Sequence, residues 1–164
     1  MRILKAVHGY DVRRTHIFQL CNSYCLSSAS LAKSRRLGLV AIIPDAIVIA
    51  TTHADEKDIK KITALCDEVE ELINNHEDHT HKDIEFHTAI AMSSKNVVVP
   101  RLIPVINSSI PLFVETTGGT LHEETIETHR EITDAIASHD TLRAQDAMYL
   151  HLVYNRKRIQ MMKK

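Results

Sequence analysis

The longest regular run of apolar positions is Ile59, Ile62, Leu65, Cys66, Val69 and then Leu72 or Ile73, recurring at spacings of three and four. That is the period of an α-helix with one face turned to a core. Asp55, just ahead of the run, has the chemistry of an N-cap, so a helix is expected from there through about Asn74. Upstream, Leu37, Val40, Ile42, Ile43, Ile47, Val48 and Ile49 are too continuous for period alone to separate strand from helix. Length and Pro44 favour a helix that begins or bends at the proline. After a connection rich in Asn and His, a third helix is expected from near His79 to Lys95, with Phe86, Ile90 and Ala91 inward and Asn96 ending it. Residues 97–114 are apolar but carry Pro100, Pro104 and Pro111, which predicts one or two broken helices, closed by Gly118 and Gly119. The last two helices, His122 to Ala137 and Thr141 to Met161, flank a Ser138, His139, Asp140 turn with Asp140 as N-cap. Together these elements make an all-α antiparallel bundle of about six or seven helices joined by short loops.

Composition agrees with that picture. A chain of 164 residues with 44% hydrophobic content is the size of one ordinary domain with one core. Four Gly, four Pro and no Trp do not supply the frequent turns that a sandwich or barrel needs. Cys21, Cys25 and Cys66 are odd in number and lack a framework spacing, which points to a reducing compartment. Cys21 and Cys25 read as small hydrophobes. Arg2, Lys5, Asp11, Arg13 and Arg14 interrupt any apolar run at the start, which fits neither a signal peptide nor a membrane span. A cytoplasmic location is expected.

The formal net charge of -1 hides a division along the chain. Residues 1–36 hold seven Lys or Arg against one Asp, and Arg156, Lys157, Arg158, Lys163 and Lys164 make the end basic as well, while the middle has 8 bases against 20 acids. Short basic ends are more often solvated than bound to phosphate. The organisation expected is a basic segment over residues 1–36 followed by a helical domain over 37–164.

The candidate chemistry lies in the eleven histidines. Asp83 and His87 are four apart and share one helix face. His129 lies three after Ile126 and three before Ile132, on the stripe that continues to Ile136. His151 follows Ala144, Ala147 and Met148 on an apolar face. Taken singly, each His is more often an isolated core histidine satisfied by a backbone carbonyl. Three inward imidazoles with one inward carboxylate are different, because a buried carboxylate and several unpaired imidazoles are costly and a divalent cation relieves both. The tract His76, Glu77, Asp78, His79, Thr80, His81 reads as a solvated loop; only His79, one turn before Asp83, approaches the site.

Around these residues the chain resembles the C-terminal ligand-binding domain, called FCD, of FadR-type transcription regulators in the GntR superfamily. Asp83, Ile84, Glu85, Phe86 and His87 with Asn96 downstream are similar to that family's D-x-x-F-H helix and later Asn. His129, Ile132, Ala135, Ile136 and Asp140 are similar to its H-x-x-I-x-x-A-I and turn, with His139 where Gly is usual. Ala144, Met148 and His151 complete the match, His151 falling 22 residues after His129. The resemblance covers about residues 37–160 and implies a dimeric helical bundle with Asp83, His87, His129 and His151 as metal ligands. Two features depart from the family. Leu39 stands where an effector-holding Arg is common and Ile43 where a Glu is common. Residues 1–36 have no recognisable helix-turn-helix pattern and room for only part of a winged-helix domain, so DNA is a partner only if such a domain is supplied elsewhere.

The function expected is therefore sensing rather than catalysis. A divalent transition metal on an N3O donor set suits Zn, with Ni, Co, Mn and Fe compatible with the same donors. A small carboxylate effector would take the positions left open on the metal and touch Asn96, in a homodimer with no membrane attachment. The rival readings are a metal-dependent enzyme on a helical bundle and a dimerisation module with a vestigial pocket. Glu85, the nearest extra carboxylate, sits about 200° around the helix from the ligand face, which leaves an enzyme without a general base there.

Overall fold

The computed structural model describes residues 43–117 and 120–161, and these form six α-helices with no strand among them. The basic segment 1–36, Cys21, Cys25, Leu39, Gly118 and Gly119 lie outside the described residues. Helix α1 occupies residues 43–53, α2 Glu56–Asn74 and α3 Thr80–Ser93. A 3-10 turn, Val99–Leu102, runs into α4, Ile103–Thr117. Helix α5 is His122–Ala137 and α6 is Thr141–Met161.

Local chemistry sets the starts. Asp55 caps α2 by accepting from the N–H groups of Lys57 and Asp58, and the Asp58 carboxylate accepts from the Asp55 N–H in return, a reciprocal capping box. Asp140 accepts from the Arg143 N–H at the start of α6. The proline-bearing stretch is less broken than expected: Pro100 opens the 3-10 turn, Pro104 sits in the first turn of α4, and Pro111 lies inside α4 without ending it. A proline at a helix start removes an N–H that has no partner anyway, and one inside can be carried when the surrounding packing holds the helix.

Three helix ends carry a non-glycine residue in the left-handed region: His76 (φ 59°), Lys95 (φ 51°) and His139 (φ 54°). At the first and last, the N–H bonds to Ile73 and Ile136 carbonyls, with Glu77 N–H to Leu72 and Asp140 N–H to Ala135, form Schellman closures. Helix α3 therefore stops at Ser93 on the Lys95 turn rather than at Asn96.

Helix α5 packs on α6 and α2, α2 on α3, and α4 on α3 and α6. Neighbours joined by such short connections run antiparallel. Ile47 and Ala50 of α1, Ile62, Val69 and Ile73 of α2, Phe86 of α3, Ile132 and Ile136 of α5 and Met148 of α6 form one core, and of the last α2 pair it is Ile73 that is buried. Charged pairs fix the helix register outside it: Arg130 to Asp67 and Glu70, Lys82 to Glu68, and Arg143 to Glu131. The α5–α6 turn is also tied to α1, because the His139 ring lies 2.8 Å from the Thr51 carbonyl.

Candidate metal centre

Helix α3 carries Asp83 and His87 inward beside Phe86, and α5 and α6 bring His129 and His151 to the same point. All four residues are between 1% and 9% exposed. His87, His129 and His151 each offer a ring nitrogen within 4.8 Å of the others. Asp83 Oδ1 lies 3.3 Å from His87 Nε2 and 3.5 Å from His129 Nε2. Among the described residues neither Asp83 Oδ1 nor either ring nitrogen of His129 has a hydrogen bond of acceptable geometry, although all three are buried.

The neighbours orient the rings. His129 stacks on Phe86 with centroids 4.4 Å apart, so an apolar ring rather than a hydrogen bond fixes its plane. His151 Nδ1 is 3.0 Å from Thr128 Oγ1, whose single hydrogen goes to the Glu124 carbonyl at 2.6 Å. The hydroxyl must then accept from His151 Nδ1–H, which makes Nε2 the nitrogen that carries the ring's lone pair. The Asn155 side-chain nitrogen stands 3.4 Å from that Nε2 and also donates to the His151 carbonyl.

Electrostatics divide the group. Burial holds His129 well below the ordinary histidine value and pushes His151 down to about 4, so both are neutral at pH 7. For Asp83 burial acts upward, but the adjoining His87 outweighs it and holds the carboxyl well below its usual range. A carboxylate beside three imidazole rings is a donor set for a divalent cation, and Asp83 Oδ1 and His129 Nε2, buried without a hydrogen bond, are atoms such an ion would satisfy. The residues present fit the group.

A cavity of about 30 Å³ adjoins the cluster, bounded by Asp83, His151 and Asn155, by His79 and His122, and by apolar side chains of α4. A second, of about 20 Å³, touches His87 from the side of α1 and is almost wholly apolar, with Ile43, Ile47, Ile90, Val99 and Met148 in its wall.

A family model for the FCD domain matches residues 40–154. The chain belongs to the FCD family. A curated relative, the uncharacterized HTH-type transcriptional regulator YcbG of Bacillus subtilis (strain 168), is 30% identical over 120 residues, which are 69% of this chain and 48% of that protein. The chain thus spans about half the length of that relative. A solved structure described as Streptococcus agalactiae GntR superposes with a TM-score of 0.68 at 25% identity, covering 84% of this chain and 64% of the other.

Within this FCD domain the four residues expected at the site are brought together, whereas Asn96 lies elsewhere. Its Oδ1 accepts from the Val98 N–H at 2.7 Å and closes the turn after α3, and it lines neither cavity. Of the His-rich tract, His76 and His81 are exposed and His79 is buried against the cavity. Thr128, His122 and Asn155 escaped the sequence reading. Thr128 sits one turn before Ile132 on the buried stripe, a signal that was available; His122 and Asn155 have no apolar spacing to mark them. Glu85 is engaged at the surface with Lys82 and His81. No helix of the described residues is long and apolar enough to cross a membrane.

Proposed function

We propose that this FCD domain is the metal-dependent, acid-sensing part of a GntR-type transcription regulator. The observation that carries the reading is the buried, unpartnered Asp83 Oδ1 facing three imidazoles next to a cavity. Asp83, His87, His129 and His151 would hold the ion, with zinc favoured on availability among the metals this donor set accepts. When bound, such a metal supplies a Lewis-acidic centre that attracts a carboxylate. The chain's own residues do the rest: Thr128 orients His151, Phe86 fixes His129, and apolar side chains of α4 form one side of the adjoining cavity.

The sensor reading extends to a cytoplasmic homodimer, in which an acid held between α3, α5 and α6 shifts their packing and is felt by a DNA-binding part elsewhere in the regulator. The name of the Bacillus relative, an HTH-type regulator, supports that output. The FCD resemblance supports the metal set. Ile43 in the wall of the apolar cavity, where the family commonly has Glu, argues that the acid is recognised from the α3–α5 side rather than from α1.

Elemental analysis of the purified protein beside its Asp83→Ala variant tests the metal. A stoichiometric transition metal in the parent, lost in the variant, is expected; metal-free parent protein that also fails to take up zinc would overturn the proposal. Thermal stability of the zinc-loaded protein titrated with short carboxylates tests the sensing half. A response to zinc with none to any acid would leave a purely structural metal.

A further inference from the structure

His79 and His122 are not part of the donor set, yet both face the cavity that Asp83 and His151 open onto. His79 is only 6% exposed. The two rings meet edge to face with centroids 5.6 Å apart, and neither makes a hydrogen bond with another described residue. His79 stands at the N-cap of α3 without capping it, and the Leu121 side chain gives no cap to α5, whose first residue is His122. The ring nitrogens of the pair are not among the fully buried polar atoms left without a hydrogen bond, so the cavity or solvent reaches them. The wall around the pair holds Ile110, Phe113, Val114 and Leu121, with Thr125 and Asn155 as further polar members beside Asp83 and His151.

The pair also lies at a definite distance from the cluster. His79 precedes Asp83 by one helical turn, about 6 Å along α3, so the cavity has polar groups at both ends and an apolar side between them. The start of α5 adds a positive helix end at the His122 side, partly answered by Glu123 and Glu124 of the same turn.

We propose that His79 and His122 form a second anchor in this cavity, one that donates to the far carboxylate of a short dicarboxylic acid whose near carboxylate is held at the Asp83, His87, His129, His151 cluster. The inference rests on the metal-dependent acid-sensor reading and adds to it the class of acid and the residues that select it. A monocarboxylate of equal length would put a methyl group against two imidazole N–H donors and leave them unpaired, so the site discriminates by a lost hydrogen bond rather than by size.

The test uses the full chain loaded with zinc and two four-carbon probes, succinate and butyrate, titrated by calorimetry. Succinate should bind about tenfold tighter than butyrate in the parent, the ratio expected for hydrogen bonds to one buried polar group. Changing both His79→Phe and His122→Phe keeps the ring packing and removes the donors. The ratio should fall to within about twofold of unity, with zinc content unchanged and butyrate bound no more weakly than by the parent, because the donors it left unpaired are gone. Because His79 is buried, the single His122→Gln variant, which keeps a donor at a half-buried position, guards against a folding artefact and should retain most of the preference. Equal affinity of the parent for both acids would overturn the inference and leave the sensor reading intact. A preference that survives the double substitution would overturn it too. Binding of neither acid to zinc-loaded parent would sink the sensor reading itself. A second equivalent of zinc that disappears in the double variant would replace the anchor by a second metal site.

Discussion

The hydroxyl of Thr128 has one hydrogen, and the Glu124 carbonyl takes it. That small fact decides which nitrogen of His151 carries the ring's lone pair. Thr128→Val keeps the volume and removes the acceptor, so His151 Nδ1–H loses its partner and the ring its orientation. Zinc affinity, measured by competition with a chromogenic chelator, should fall about tenfold, the usual effect of losing a group that orients a ligand. Thr128→Ser should restore it; an affinity unchanged in the valine variant would mean that the ring needs no such support. Protons report on the same residues. The unfolded chain returns His129 and His151 to about 6.5, whereas the folded chain holds His151 near about 4 and His129 well down. Between those values the unfolded state binds protons that the folded state refuses, so stability of the metal-free protein rises with pH there. The full contribution is present above about pH 6.5 and is lost as pH falls toward the folded values. Asp83, depressed in the fold, adds a further loss below the ordinary carboxylate value. Urea midpoints of chelated protein at about pH 7.5, 6 and 5 should descend in that order; a flat series would show folded imidazoles open to protons.

At the scale of elements, the helix ends matter more than their middles. His76 holds a left-handed conformation at the end of α2, and its exposed ring has no hydrogen bond to another described residue to offset the cost. His76→Gly should therefore stabilise the protein by roughly 0.5–1 kcal/mol, read from urea denaturation. His139 has the same backbone but a ring bonded to the Thr51 carbonyl. His139→Ala keeps the strain and loses the bond and should cost about 1 kcal/mol, while His139→Gly trades one for the other and should be nearly neutral. Equal effects of the two His139 changes would refute the role given to the ring. These ends also mark what a sequence discloses. The Asp55 and Asp140 caps and the apolar stripes of α2, α5 and α6 made those helices legible almost to the residue, and the stripes carried His129 and His151 inward with them. The stop at Ser93 was not legible, because Lys95 in a left-handed turn has no compositional signal and Asn96 looked like the natural terminator. Pro111 inside α4 was not legible either, since its tolerance depends on packing against α3 and α6. His79 and His122 form a pair only through the meeting of two distant helix starts, which no local period records.

For the molecule as a whole, the cluster joins α3, α5 and α6, and those helices reach α2, α4 and the α1 contact at His139 in turn. An ion bound there acts on the folded state alone. Zinc held at about 100 times its dissociation constant should add about 3 kcal/mol to stability and raise Tm accordingly. The increment should vanish in His129→Ala, and calorimetry of loaded and chelated protein decides the matter. An equal increment in that variant would place the metal elsewhere.

The four donors also have an order in time. Asp83 and His87 are made together on one turn of helix, His129 follows on α5, and His151 comes only on the middle turns of α6. A protein synthesised from its N-terminus and folding as it emerges therefore holds an incomplete donor set until α6 has left the ribosome. The cation rewards only chains finished past His151, and a product stalled short of that residue forfeits the extra stability that would shield it from proteolysis.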